Sequence, residues 1–185
     1  GANSSPWLIT LDANNLEAQA TGVEVFDVAQ KNNSLTFKVY ETNKPTLIAP
    51  KTYDKLSEIR NLNADKLTIN NLKNGTYTLM IDGEAVATAT SSEWGEGIIL
   101  DQTPTHQALE KLRLKINEKN LQFIYSWKAL NQVHIVGERK SSKSGLALPA
   151  EVIEFNKISQ NLQQQVVETS IKQTRDWSII PATSK

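Results

Sequence analysis

The chain contains no cysteine, which excludes disulfides, thiolate nucleophiles and Cys-ligated metals and leaves the redox compartment open. It has only two histidines, too few to build an imidazole-rich transition-metal centre. Charge of one sign is lacking as well: Lys+Arg and Asp+Glu number 20 each. With no net field, nucleic acid and anionic membrane surfaces are not expected partners. No apolar run approaches the roughly 20 residues that a membrane-spanning helix needs. No signal peptide is visible at the start, where residues 1–5 (GANSS) read as a tag remnant and linker.

Motifs with chemistry attached are also missing. There is no Gly-x-Ser-x-Gly or Gly-Asp-Ser nucleophile turn and no Asp-x-x-His pair. There is no phosphate-cradling glycine loop and no Asp-rich calcium loop. No catalytic, cofactor-binding or metal-ligating residue is therefore nominated, no cofactor is expected, and the chain by itself is not expected to be an enzyme.

What is present is an ordinary apolar content of 39% over 185 residues, enough for a sizeable core. Residues 6–104 read as β-rich. Trp7–Asp12 and Val23–Ala29 are short runs of β-branched and aromatic residues, and Leu35–Tyr40 alternates apolar with polar. The stretch Glu41–Pro50 carries two prolines and reads as irregular, and Tyr53–Leu62 has helical spacing. Lys66–Leu72, Tyr77–Asp82 and Ala85–Thr90 read as a three-stranded meander turning at Asn74-Gly75 and Asp82-Gly83, dipeptides that tolerate positive φ.

Residues 105–180 read as helical, packed on or extending from the β-rich part. After Pro104, apolar residues at Leu109, Leu112, Ile116, Phe123, Trp127 and Leu130 form a helical stripe, with Thr103 or Thr105 as N-cap. Asn131–Lys140 suits a strand or connector and Ser141–Gly145 a flexible link. A second helix is expected from about Pro149, with a Gln-rich face at Gln163–Gln165. The tail, Asp176–Lys185, is expected to end without regular structure after Ile180-Pro181, with 181–185 as the tail proper. The fold class is α+β: a small, mainly antiparallel sheet or sandwich of five to seven strands with two long C-terminal helices, antiparallel if they pair.

His106, in the first turn of the long helix, and His134, among alternating apolar residues, read as structural or solvated. Trp7 and Trp127 read as core. Trp94 and Trp177 fall in connectors, where an exposed pair can form a ligand or partner surface. That pair is the basis of one functional reading, a carbohydrate-binding or other interaction module of a secreted bacterial protein. A helical dimerisation module over residues 105–172 is a further one.

The order of elements carries more. Leu72-x-x-Gly75-x-Tyr77-x-Leu79-x-Ile81-Asp82-Gly83-x-x-Val86, then Trp94-x-x-Gly97-Ile98-x-Leu100, then Thr103-Pro104 and Gln107-Ala108, resembles the region downstream of the catalytic domain in bacterial SGNH (GDSL-like) hydrolases. The resemblance spans about residues 6–140, and its specific part is 72–108. It implies a non-catalytic C-terminal accessory domain of an esterase or acylhydrolase. Such a domain docks on the catalytic domain of the same polypeptide and shapes substrate access or oligomerisation, with a homo-oligomer as a further expectation. It also implies a periplasmic or extracellular location. The family's nucleophile and Asp-x-x-His pair match no position here.

Overall fold

The computed structural model describes residues 6–42, 64–130 and 143–182. It is α+β, with nine strands in two sheets among the described residues, a few more strands than the sequence suggests. The strands are β1 (Leu8–Asp12), β2 (Ala18–Thr21), β3 (Glu24–Lys31), β4 (Ser34–Tyr40), β5 (Lys66–Asn70), β6 (Thr76–Ile81), β7 (Glu84–Thr90), β8 (Ile98–Ile99) and β9 (Thr174–Pro181). The helices are α1 (Ser91–Glu96), α2 (Pro104–Leu130) and α3 (Lys143–Glu168). The expected helix at Tyr53–Leu62, the segment Asn131–Lys140 and His134 lie outside the described residues.

By backbone contacts the chain divides into two compact units, residues 1–107 with 172–185 and residues 108–171. In the first unit, one sheet has the order β2-β1-β5-β8 and the other β3-β4-β9-β6-β7. Every pair is antiparallel except β1 with β5. Alternation decides which side chains go inward. Ile9 and Leu11 of β1, Leu67 and Ile69 of β5, Leu35, Phe37 and Val39 of β4, Leu79 and Ile81 of β6, and Trp177 and Ile179 of β9 join one buried cluster. Trp7 meets Trp177 edge-on, ring centroids 5.6 Å apart, and Phe37 packs on the same indole at 5.8 Å. Edges are blunted in the usual ways: β8 is two residues long, and β3 carries a bulge between Phe26 and Ala29.

Three local expectations are corrected. The meander is a single hairpin, β6–β7, whose Ile81↔Glu84 register leaves Asp82-Gly83 as the turn. Both turn residues have positive φ, 51° and 85°, the geometry that matches strand twist. Strand β5 belongs to the opposite sheet, because its Leu67 and Ile69 are buried beside β1 in parallel register. The chain around Asn74-Gly75 then crosses between sheets rather than turning back.

The supposed connector at Trp94 is helix α1, closed by a capping box in which Thr90 Oγ1 accepts from the Glu93 N–H and the Glu93 carboxylate accepts from the Thr90 N–H. It ends at Gly97, φ 91°, where a Cβ would collide with the Lys66 and Thr68 side chains.

The end of the part expected to be helical, up to residue 180, is instead strand β9. It pairs with β4 on one side and β6 on the other, so the last described strand is the middle strand of its sheet.

In the second unit, α2 and α3 pair antiparallel. Lys119 Nζ donates to Gln163 Oε1 at 3.0 Å and Ser126 Oγ bonds Asn156 Oδ1 at 2.8 Å. Helix α3 begins at Lys143, earlier than the expected start near Pro149, since Leu146, Ala147 and Leu148 are themselves good helix formers. The apolar stripe of α2 is not the buried face. Ser126 is buried, while Ile116, Phe123 and Trp127 are 37%, 58% and 57% exposed. The expectation that Trp127 is core is thereby overturned: at 100° per residue it stands a quarter-turn from Ser126, which faces α3.

Deleting residues 173–185 should abolish the cooperative unfolding transition of the sheet unit, because hairpins β3–β4 and β6–β7 then share no strand. Denaturant unfolding followed by tryptophan fluorescence checks this. A truncated chain with the wild-type midpoint would refute the assignment of β9.

Candidate functional site

His106, read above as structural or solvated, lies at the start of α2 near titratable groups that the sequence reading did not single out, Asp65, Glu41 and Arg175. Thr103 is its N-cap: the hydroxyl oxygen accepts the His106 N–H at 3.4 Å, and the carbonyl takes the Gln107 N–H at 3.1 Å. Pro104 occupies the first helical position, where its missing N–H costs nothing. This cap turns the His106 ring back over Thr103, with Nδ1 2.7 Å from Thr103 Oγ1. On the other side of the ring, Nε2 lies 3.4 Å from Asp65 Oδ2. Asp65 is pinned at the mouth of β5. Its Oδ1 accepts the Trp7 N–H at 2.9 Å, and its carbonyl takes the Leu100 N–H at 2.8 Å. Asp65 Oδ2 makes no aligned hydrogen bond among the described residues.

A second row runs alongside. Arg175 on β9 donates from Nε to Thr105 Oγ1 at 2.7 Å, and the Thr105 hydroxyl donates a hydrogen bond to Glu41 Oε1 at 2.8 Å. The other end of the guanidinium donates to Asp82 Oδ2 at 2.7 Å. Asp82 also receives Lys172 Nζ at 2.6 Å and the Asp176 N–H at 3.1 Å, both on Oδ1. The aspartate of the hairpin turn thus ties β6–β7 to both ends of the entry into β9.

Burial sets the charge states. It pushes the Asp65 carboxyl up to about 7, against the opposing pull of the Trp7 N–H and with a small push from Glu41. The same burial pushes the His106 imidazole down to about 4, with Asp101 opposing. The two are therefore a neutral pair near pH 6, not an ion pair. Burial also raises Glu41, opposed by the Thr105 hydrogen bond and Arg175. Partial burial alone would raise Asp82, but Lys172, the Asp176 N–H and Arg175 outweigh it and hold the carboxyl below the ordinary aspartate range.

An Asp–His–Thr row has the roles of a proton relay, but an acyl-transfer nucleophile must reach a substrate carbonyl. Thr103 is 1% exposed, and its oxygen is engaged by the ring and by the helix it caps. In this arrangement the groups are placed to exchange protons with one another. No cluster of three or more metal-binding side chains occurs among the described residues.

The aromatic pair fares differently from expectation. Trp94 is 0% and Trp177 2% exposed. Trp94 Nε1 donates to the Tyr77 carbonyl at 3.2 Å, and Trp177 packs between Trp7 and Phe37. They are not adjacent exposed rings, so the sugar-platform reading built on them is withdrawn. The reason is placement: Trp94 lies on the inward side of α1, and Trp177 at an inward position of β9. An Asn-lined hollow near Asn14, Asn32, Asn33 and Asn71 has a local explanation. Asn32, Asn33 and Asn71 adopt positive φ in turns; Asn71 bonds Asp12 and Asn33 bonds Lys73.

No family model matches the chain, and no curated protein matches it. Among solved structures it is similar to a gut microbial diltiazem-metabolizing enzyme, with a TM-score of 0.66 and 12% sequence identity, over 98% of this chain and 51% of that one. At that identity the likeness is one of fold. The chain spans about half the length of that enzyme.

Two outcomes follow for stability. Between pH of about 4 and 6.5 the folded chain keeps a proton on Asp65 that the unfolded chain loses, and lacks one on His106 that the unfolded chain holds. The Asp65 contribution falls as pH rises, the His106 contribution grows, and the two oppose each other at up to about 1.4 kcal/mol per pH unit each. Relative to wild type, Asp65→Asn should make stability climb with pH across this window, and His106→Gln should make it fall. Urea unfolding at several pH values reads the two slopes; slopes of the same sign would contradict the neutral pair. Arg175→Met should cost about 3–5 kcal/mol, chiefly by leaving buried Glu41 without its cation while Asp82 keeps Lys172, measured as a shift in the urea midpoint.

Proposed function

We propose that this chain is a non-catalytic accessory domain of a larger bacterial SGNH-type hydrolase, docking on the catalytic domain and shaping substrate access or oligomerisation. The observation that carries the reading is the burial of Thr103, His106 and Asp65. These groups have the chemistry of a hydrolase relay yet are enclosed by the fold. The motif order at 72–108 supports the family. The fold-level likeness to about half of a metabolizing enzyme agrees with a part of a larger protein. A docking surface has support in α2, where Ile116, Phe123 and Trp127 stand exposed along one flank. An apolar strip of that kind favours a cover.

The test is calorimetric titration of this chain into the separately expressed catalytic region of the same polypeptide, with esterase turnover followed with and without it. The reading predicts no turnover by this chain alone, a stable complex, and altered turnover in the complex. It further predicts that Phe123→Ser with Trp127→Ser weakens binding at least about tenfold, the loss of about 1.4 kcal/mol. Absence of binding together with unchanged turnover would overturn it.

A further inference from the structure

We propose that Asp65, His106 and Thr103 form a one-proton tautomer switch at the start of α2, in which proton uptake at Asp65 moves the His106 ring proton from Nε2 to Nδ1 and releases the Thr103 hydroxyl hydrogen from the ring.

The row between Asp65 and Thr103 is closed, and the hydrogens in it can be counted. Two gaps lie between Asp65 and Thr103, one from Oδ2 to Nε2 at 3.4 Å and one from Nδ1 to Oγ1 at 2.7 Å. Each gap takes one hydrogen, the second as a short hydrogen bond and the first as a longer contact that is not aligned as one in this structure. A neutral imidazole brings one, a hydroxyl brings one, and a carboxyl brings none or one. With Asp65 ionised, Nε2–H fills the first gap and the Thr103 O–H fills the second. With Asp65 protonated, its O–H fills the first gap, Nδ1–H fills the second, and the hydroxyl hydrogen turns elsewhere. The two states differ by one proton taken from solvent, and both leave the ring neutral.

The surroundings make this exchange the favoured titration. Asp65 Oδ2 is buried with no aligned partner of its own, so it gains most from becoming a donor. Its Oδ1 stays occupied by the Trp7 N–H in either state. The charged groups nearby come from every neighbouring element. Glu41 at the end of β4 disfavours a second negative charge at Asp65, and Asp101 ahead of α2 acts on the ring. Arg175 of β9 is engaged by Thr105 and by Asp82 of the hairpin turn. Burial raises Asp65 and lowers His106, which separates this exchange from formation of imidazolium.

The consequence is local and mechanical. Thr103 caps α2 by accepting the His106 N–H. In the ionised state the hydroxyl also donates to the ring; in the protonated state both its lone pairs accept. The protonation of a carboxyl at β5 thereby sets the hydrogen-bonding role of the residue that starts the long helix.

The experiment is nitrogen NMR of the two His106 ring nitrogens in uniformly labelled full chain from about pH 5 to 8, with the His106→Gln variant identifying its signals apart from those of His134. The expected result is that the protonated and unprotonated nitrogen resonances exchange places with a midpoint near neutrality. Asp65→Asn, whose amide donates permanently toward Nε2, should hold the Nδ1–H form throughout. If that variant does not fold, the wild-type titration decides alone. A single tautomer across the range, or both nitrogens becoming protonated together near the ordinary imidazole value, would overturn the switch.

Discussion

Strand β9 is bonded to β4 along one edge and to β6 along the other, and hairpins β3–β4 and β6–β7 share a sheet only through it. Its inward residues Trp177 and Ile179 sit in the middle of the core, each worth roughly 1.5–3 kcal/mol by burial. Arg175, one alternation earlier, reaches the polar row beneath that core. The helices are therefore inserted in sequence between strands of one sandwich, since the chain leaves at α2 and returns at Lys172 to complete the sheet.

The polar row follows from that return. Asp82 is fixed by the turn it makes, Glu41 by the end of β4, Asp65 by the entry to β5, and Thr103 and His106 by the cap of α2. Bringing β9 between β4 and β6 places Arg175 among them. Burying so many polar groups is costly unless each is partnered, and here nearly all are. The two exceptions among the described residues, Asp65 Oδ2 and Trp177 Nε1, mark the places where the fold accepts a penalty of about 1–3 kcal/mol. For Asp65 the penalty is relieved by holding a proton, which makes that side chain a titrating element instead of a fixed charge.

Much of this was legible in the residues. Alternation gave away Leu35–Tyr40, Asp82-Gly83 announced the β6–β7 hairpin, and Thr103-Pro104 announced the start of α2. What was hidden depended on partners distant in sequence. The parallel pairing of β5 with β1 leaves no local signature, so the three strands around Asn74-Gly75 looked like a meander. Thr174–Pro181 follows a helix and closes on a proline, and only its place between β4 and β6 makes it a strand. The apolar stripe through Ile116, Phe123 and Trp127 was visible, but periodicity does not say which flank a single partner helix covers. Thr103 and His106 stand at the spacing of a capping box with imidazole in the acid's position, a local signal for half of the buried row. Nothing in the sequence pointed to Asp65 as its other half.

Native-state hydrogen exchange across the sheet unit decides whether β9 is an integral middle strand. If it is, the amides of Asp176–Ile180 exchange only with global unfolding, at the same free energy as those of β4 and β6. Exchange of the β9 amides through a local opening, while β6 stays protected, would contradict it.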